Sequence, residues 1–315
     1  MQTVNSMKNT ESFELYENRE NGMLTDAERT PDTKNKVVGG TLYLVATPIG
    51  NLADMSARAL KVLSEVDFIA AEDTRNSHKL LSFFGISKPM VSYFEHNKAE
   101  KGEYILKRLQ QGESCALITD AGTPAISDPG EDMVRLCAQN NVPVTSVPGC
   151  CAAITALSLS ALPTGRFAFE GFLSGSKSEK RARLEELSSE KRTLILYEAP
   201  HRLCETLDSL LEIFGDRRIT LCRELTKLNE EIIRTTVKGA VELYKSVSPR
   251  GEYVLVIDKA DNDQDKAFWK DMSVAEHVDY YVKLGNEKMA AIKLVAKDRG
   301  VGKNAIYKEL LDNKG

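Results

Sequence analysis

The chain has 315 residues, 42% of them hydrophobic and 28% charged, with a formal net charge of −4 at pH 7. That length has room for two domains and a small appendage, and the composition excludes a disordered or membrane-embedded chain. The slight acidity gives no support to wholesale nucleic-acid binding, so a basic face has to be sought segment by segment. Six cysteines, Cys115, Cys137, Cys150, Cys151, Cys204 and Cys222, form no C-x-x-C pair and no zinc-type spacing with histidine. They are expected to be reduced thiols of a cytoplasmic protein, with the adjacent Cys150 and Cys151 acting as small hydrophobes. No signal-like segment opens the sequence, and the weakly polar run Cys150 to Leu162 is too short to cross a bilayer, so no membrane is expected.

Residues 1–38 are polar, lack sustained periodicity and read as a flexible extension. Leu42 to Ala46 is a strand that breaks into Thr47-Pro-Ile-Gly-Asn51. Ser56 is placed to cap a helix from Ala57 to about Val66, whose Ala59, Leu60, Val62, Leu63 and Val66 form one apolar face. Asp67 to Ala71 is a second strand. It runs into Glu72-Asp-Thr-Arg75, either an exposed ion pair or a catalytic cluster, and then a helix from Asn76 to Phe84 stopped by Gly85. Met90 to Phe94 reads as a strand and Lys98 to Gln111 as a polar helix.

The densest signal comes next. Cys115 to Ile118 has the length of a strand buried on both faces, and Asp120, Gly122, Thr123, Pro124, Ser127, Asp128, Pro129 and Gly130 cannot continue it. Two Gly, two Pro and two Asp within eleven residues exceed what a turn needs, and the pattern fits a ligand loop at the carboxyl end of a strand. A helix to Asn140, the strand Val142 to Val147 and a small-residue helix after Pro148-Gly149 complete a β-α alternation, which predicts an α/β domain with much of its sheet parallel.

Leu162-Pro-Thr-Gly165 reads as a linker. A second alternation follows: strand Phe167 to Phe172, a basic helix around Lys177 to Arg183, strand Thr193 to Tyr197, the segment Glu198-Ala-Pro-His-Arg202, and a helix from Leu203 to Phe214. Ile219 to Cys222 runs into Arg223-Glu-Leu-Thr-Lys227, and Gly251 to Ile257 closes the sheet. From Asp261 a polar linker leads to helices at Met289 to Asp298 and Lys303 to Leu311 around Arg299-Gly-Val-Gly302, with the spacing of a helix-turn-helix. Residues 283–308 hold seven Lys or Arg against two acids, which fits equally a solvated helical pair or a nucleic-acid contact. The expected layout is an extension at 1–38, an α/β domain at 39–162, a second at 163–260 and a basic helical tail at 270–315.

No P-loop, G-x-G-x-x-G, G-x-S-x-G or H-E-x-x-H motif occurs. Instead Val45-Ala-Thr-Pro-Ile-Gly-Asn-Leu52, Glu72-Asp-Thr-Arg75, Thr119 to Gly130, Val147-Pro-Gly149, Tyr197-Glu-Ala-Pro-His-Arg202 and Arg223-Glu-Leu-Thr-Lys227 appear in order. Together they resemble the bacterial 16S rRNA (cytidine-2'-O)-methyltransferases of the tetrapyrrole methylase superfamily, over Gly39 to Ile257. The sequence departs from that pattern at Cys150-Cys151, where Pro-Ser or similarly small residues are expected.

The resemblance implies two α/β domains with S-adenosylmethionine in a cleft between them, a homodimer, and a 16S rRNA substrate in the small ribosomal subunit. The target it implies is the decoding-centre cytidine 1402 in the usual rRNA numbering. By position it implies cofactor contacts from Pro48, Gly50, Thr123, Pro124, Ile126, Cys151, Ala152, Tyr197, Leu225 and Gly251. Methyl transfer to a ribose hydroxyl is an in-line displacement that needs alignment first and a base second. Candidates for base or substrate orientation are Glu72, Asp73, Asp128 and Glu224, with Arg75, Arg223 and Lys227 holding phosphate or ribose. His201 either packs at a helix start or touches substrate, and the Lys177 to Arg183 cluster either grips RNA or is solvated. The alternatives are a methylase of a corrin or porphyrin precursor and a ligand-sensing DNA-binding regulator.

Overall fold

The computed structural model describes residues 36–173, 175–260, 269 and 272–312. Most of the expected extension at 1–38 and of the linker from Asp261 lies outside the described residues. The chain divides into two compact units, Met1–Cys151 and Ala152–Gly315.

The first unit is built on five strands, β1 (Leu42–Val45), β2 (Phe68–Ala71), β3 (Met90–Ser92), β4 (Cys115–Ile118) and β5 (Val144–Val147), in the order β3-β2-β4-β1-β5. Every pairing is parallel. The helices are α1 (Ala57–Glu65), α2 (Thr74–Phe83), α3 (Lys98–Gln110) and α4 (Glu131–Gln139). Because side chains alternate along a strand, each strand feeds two cores. Tyr43, Val45, Ile69, Ala71, Ala116 and Ile118 pack with α1 and α2 through Ala59, Val62, Leu63 and Leu81. Leu42, Phe68, Ala70, Cys115 and Leu117 pack on the opposite face with α3 and α4 through Ile105, Leu109, Met133 and Cys137. Ser56 caps α1, its hydroxyl accepting the Ala59 N–H at 3.1 Å. By contrast α2 begins at Thr74, two residues before the expected start, because the Asp73 carboxylate accepts the Arg75 N–H at 2.8 Å and serves as the cap.

The second unit contains β6 (Phe167–Phe172), β7 (Thr193–Glu198), β8 (Arg218–Arg223), β9 (Glu231–Thr236) and β10 (Tyr253–Ile257), in the order β6-β7-β10-β8-β9. Only β6 and β7 run parallel, and the other three pairings are antiparallel. The expected last strand therefore sits in the middle of the sheet, between β7 and β8. Strand β9 and helix α8 (Val237–Tyr244) were not anticipated, because Glu231-Ile-Ile-Arg-Thr-Thr236 is short and half polar. Helices α6 (Lys177–Leu187), α7 (Leu203–Phe214) and α8 cover one face through Leu184, Leu207, Leu210 and Ala240.

Helix α5 (Ala152–Leu159) belongs to this unit, which begins eleven residues before the expected boundary after residue 162. Its ends explain why. The Ala153 N–H donates to Tyr197 Oη at 3.1 Å, and the carbonyls of Leu159 and Ser160 accept from Arg234 and Thr220. Both helix ends are thereby satisfied by β7, β8 and β9.

The tail is a three-helix cluster, α9 (Val274–Lys283), α10 (Lys288–Asp298) and α11 (Lys303–Asp312), one helix more than expected. Its own core comprises Val274, Val278, Ala291, Ile292, Val295, Ala296 and Ile306. Lys283, Lys288, Lys293, Lys297, Lys303 and Lys308 are exposed, whereas Arg299 is half-buried and donates to the Met272 carbonyl at 2.6 Å.

Candidate active site

In a parallel sheet the loops after each strand emerge at one edge, so the segments after β1, β2, β4 and β5 of the first unit share a rim. Two of them are tied directly: Thr47 and Gly122 exchange backbone hydrogen bonds at 2.9 and 3.0 Å, and Thr47 Oγ1 donates to the Thr119 carbonyl at 3.1 Å. Thr123 Oγ1 donates to the Cys150 carbonyl at 2.9 Å, tying the β4 loop to the β5 loop. A Cβ on Gly149 would lie 2.9 Å from that of Ala46, so only glycine allows this approach of the β1 and β5 ends. Ala125 and Ser127 adopt φ of 67° and 65°, which strains the β4 loop at non-glycine positions.

The assigned cofactor residues of this unit divide by exposure. Pro48 and Pro124 are buried, Thr123 and Cys151 are half-buried, and Gly50 and Ile126 are exposed. One polar atom of this unit is left over: Thr119 Oγ1, at the end of β4, is buried and has no hydrogen-bond partner among the described residues. A buried unpaired hydroxyl carries a desolvation cost that a bound polar ligand relieves.

Three carboxylates gather at the ends of β2 and β4. Burial, then the charges of Glu72 and Asp120, push Asp128 up to about 7. Burial, then Asp120, also raise Glu72, although the Asp120 backbone N–H donates to it. Asp120 itself accepts from Asn76 Nδ2 at 3.0 Å. The sequence places Asp120 in the ligand loop but not among the candidates for base or orientation, and Asn76 only at the start of a helix. The register Ala71 opposite Ile118 was the signal, since it sets the residues after β2 beside those after β4. Asp73 behaves differently. The Arg75 guanidinium, followed by the Arg75 N–H, holds it at about 2, and the pair sits at the start of α2 as a cap and its counter-ion.

In the second unit Tyr197, near the end of β7, accepts from Ala153, the second residue of α5, and meets Phe169 and Phe172 edge-on with centroids 5.0 and 5.5 Å away. Leu225 is buried after β8. Glu224 accepts from the Glu252 N–H at 2.9 Å and from Lys227 Nζ at 2.9 Å, and these partners hold its carboxyl below the usual range, the backbone donor first. Gly251 has φ of 75°, and a Cβ there would lie 2.5 Å from the Glu224 side chain. Arg223 is engaged by the Arg250 carbonyl and Glu231. His201 is exposed at the start of α7. Three of the four cations of the basic cluster at 177–183 are paired: Lys177 with Glu205, Arg181 with Glu185 and Glu212, and Arg183 with Glu170 and Glu186.

Among the described residues no group of His, Cys, Asp and Glu is arranged to hold a metal ion, and no helix is long and apolar enough to cross a membrane.

A doubly wound parallel sheet followed by a mixed sheet, with a rim of strand-end loops, is the architecture of the tetrapyrrole (corrin/porphyrin) methylases, and the chain belongs to that family, whose profile matches residues 41–241. The same fold is seen in the native form of uroporphyrin III C-methyl transferase from Thermus thermophilus, with a TM-score of 0.51 at 18% identity, covering 70% of this chain and 98% of that one. Within the family the chain is 47% identical over 270 residues to the ribosomal RNA small subunit methyltransferase I of Halalkalibacterium halodurans, covering 85% of this chain and 93% of the relative. It is 45% identical over 271 residues to the Bacillus subtilis protein of that name, with the same shares covered.

Proposed function

We propose that this chain is a methyltransferase acting on ribosomal RNA, and specifically that it methylates the ribose 2'-hydroxyl of a cytidine in 16S rRNA with S-adenosylmethionine as donor. Identity of 47% and 45% over nearly the whole length of relatives named for rRNA methylation supports the substrate class. The family resemblance supports the donor, the ribose position, a homodimer and cytoplasmic action during small-subunit maturation.

The observation that carries the chemistry is Asp128, whose carboxyl is poised near 7 beside Glu72 at the sheet rim. A general base works best when its pKa lies near the working pH, and contributes about 10²–10⁴-fold. The donor supplies an electrophilic methyl on a sulfonium. Asp128 would accept the proton that leaves the ribose hydroxyl as its oxygen bonds the methyl carbon and the methyl–sulfonium bond breaks to leave a neutral thioether, and burial, then Glu72 and Asp120, keep its proton affinity high. The same acidic rim suits a cationic donor, and the unpaired Thr119 hydroxyl and the exposed Ile126 offer it one polar and one apolar contact. Thr123, Pro124, Ile126, Pro48, Gly50 and Cys151 are assigned to the donor from the first unit, and Ala152, Tyr197, Leu225 and Gly251 from the second. Glu224 and Lys227 fix the loop after β8, with Asp73 and Arg75 at the head of α2. The exposed lysines of α10 and α11 are assigned to RNA phosphates, with the acidic pI of the whole chain confining that role to the tail.

The deciding experiment is transfer of a labelled methyl group from S-adenosylmethionine to small ribosomal subunits that lack the modification. Transfer to a porphyrin precursor and not to RNA overturns the reading in favour of tetrapyrrole chemistry. Transfer to neither, with tight sequence-specific DNA binding, overturns it in favour of a regulator. Deleting 270–315 is expected to weaken RNA binding more than donor binding, measured by filter binding and calorimetry.

A further inference from the structure

The rim of the first sheet carries one more built feature, at the end of its edge strand. Ala71 of β2 lies opposite Ser92 of β3, and the ladder continues one step further, with the Tyr93 N–H donating to the Ala71 carbonyl at 2.8 Å. Tyr93 turns inward and is 1% exposed, and the chain then makes a tight turn through Phe94-Glu-His-Asn97 into α3. That turn is closed from within by one residue. Asn97 Oδ1 accepts the Phe94 N–H at 2.8 Å, Asn97 Nδ2 donates to the Ser92 carbonyl at 3.1 Å, and the Asn97 N–H donates to the Phe94 carbonyl at 3.0 Å. Lys98 clamps its base, 2.7 Å from both Glu95 and Asp132.

What this polar scaffold holds outward is aromatic. Phe94 is 37% exposed and His96 is exposed, their ring centroids 6.2 Å apart at 82°. Turn tips are ordinarily polar, so a phenylalanine held there by three hydrogen bonds on a neighbouring residue calls for an apolar or π-faced occupant. The charge on this rim selects it. Glu72 and Asp73 follow β2, Glu95 follows β3, and Asp120 and Asp128 follow β4. An acidic edge repels phosphodiesters and accepts a neutral heterocycle, while Arg75, in the first turn of α2 and 85% exposed at its side chain, is the cation for a flanking phosphate.

We propose that Phe94 and His96 form a stacking platform for an unpaired base of the RNA substrate, positioning the strand so that its ribose hydroxyl meets the carboxylates after β2 and β4. Single-stranded RNA is commonly held in this way, by aromatic and histidine side chains on which splayed bases stack. The inference rests on the rRNA reading above and adds to it the surface that holds the base.

The test uses the full chain, unmodified small ribosomal subunits and labelled donor, with KM and kcat for the subunit, calorimetric donor affinity and melting temperature for each variant. Replacing both rings (Phe94→Ala with His96→Ala) is expected to raise KM for the subunit roughly 5- to 150-fold, the range of one stacking contact, with donor affinity unchanged. Phe94→Tyr is expected to keep the wild-type KM and Phe94→Leu to lose it. Equal KM for the Tyr and Leu variants, or an unchanged KM for the double alanine variant, overturns the proposal. If the double variant melts early, the Tyr and Leu pair decides alone, since the two differ in π character more than in bulk. A wild-type chain that methylates no RNA overturns the functional reading instead, and that result is visible before any variant is made.

Discussion

The two units each set a charged cluster in a strained loop at the end of a strand, and the two clusters hold protons in opposite ways. In the first unit Asp128 follows Ala125 and Ser127, both at positive φ, and burial, then the charges of Glu72 and Asp120, push its carboxyl up to about 7. In the second unit Glu224 and Thr226 are also at positive φ, yet Glu224 meets a backbone N–H and Lys227, and its carboxyl is held low. Charge at a strand end therefore does not identify a base. Burial against like charge stores a proton near neutrality, whereas pairing with a cation and a backbone donor spends the carboxylate on holding a loop.

The sharpest way to break this contrast is Asp128→Asn, expected to lower kcat for methyl transfer by about 10²–10⁴-fold, while Glu224→Gln costs far less. The pH profile gives the same division. A base with a pKa of about 7 must be unprotonated, so the wild-type rate should climb as pH rises toward 7 and level off above it. A profile that is flat from pH 5 to 8 removes Asp128 from the role.

Next in size is Gly251→Ala. Its φ of 75° and the Glu224 side chain 2.5 Å from the new Cβ should destabilise the second unit by about 1–3 kcal/mol, read as a fall in melting temperature.

The stability of Asp128→Asn should move in the other direction. The folded pKa of Asp128 lies above the unfolded one, so its contribution is fully present below about pH 4 and is lost as pH rises to about 7. The variant should therefore match wild type at pH 4 and exceed it above pH 7 by about 1–2 kcal/mol, after allowance for solvent screening, in chemical denaturation.

Smaller again is Asp73→Ala, which removes the cap of α2 and should lower the melting temperature less than Gly251→Ala does. Asp73→Ser keeps the cap and should restore it. If Asp73→Ser instead abolishes transfer at unchanged stability, Asp73 belongs with Asp128 in the chemistry. The smallest effect is expected for Arg181→Ala, whose two partners on α6 and α7 are solvent-exposed.

Much of the first unit was legible because its central strands β2 and β4 are short and buried on both faces. Cys115 to Ile118 is a continuous apolar run with abrupt loop chemistry after it, and the strand is found there. Ser56 announced α1 by the same local logic that was missed at Asp73, where a charged residue beside Glu72 and Arg75 looked catalytic before it looked like a cap. In the second unit β9 escaped notice because Arg234, opposite Thr220 on the edge of the sheet, interrupts a short β-branched run of Ile and Thr that is half polar. The ion pairs that neutralise Arg181 and Arg183 depend on partners in α7 and β6, which no reading of 177–183 alone supplies.

By itself the sequence determined the α/β alternation, the family-type motifs and the loop from Thr119 to Gly130, because periodicity, Gly and Pro placement and local order are written along the chain. The tertiary structure decided which of those charged residues hold protons. Asp120 and Asp128 meet Glu72 only because β4 pairs with β2, and Glu224 meets Glu252 only because β10 inserts between β7 and β8. Proton affinity depends on distance and desolvation in space, and neither is a property of neighbours in sequence.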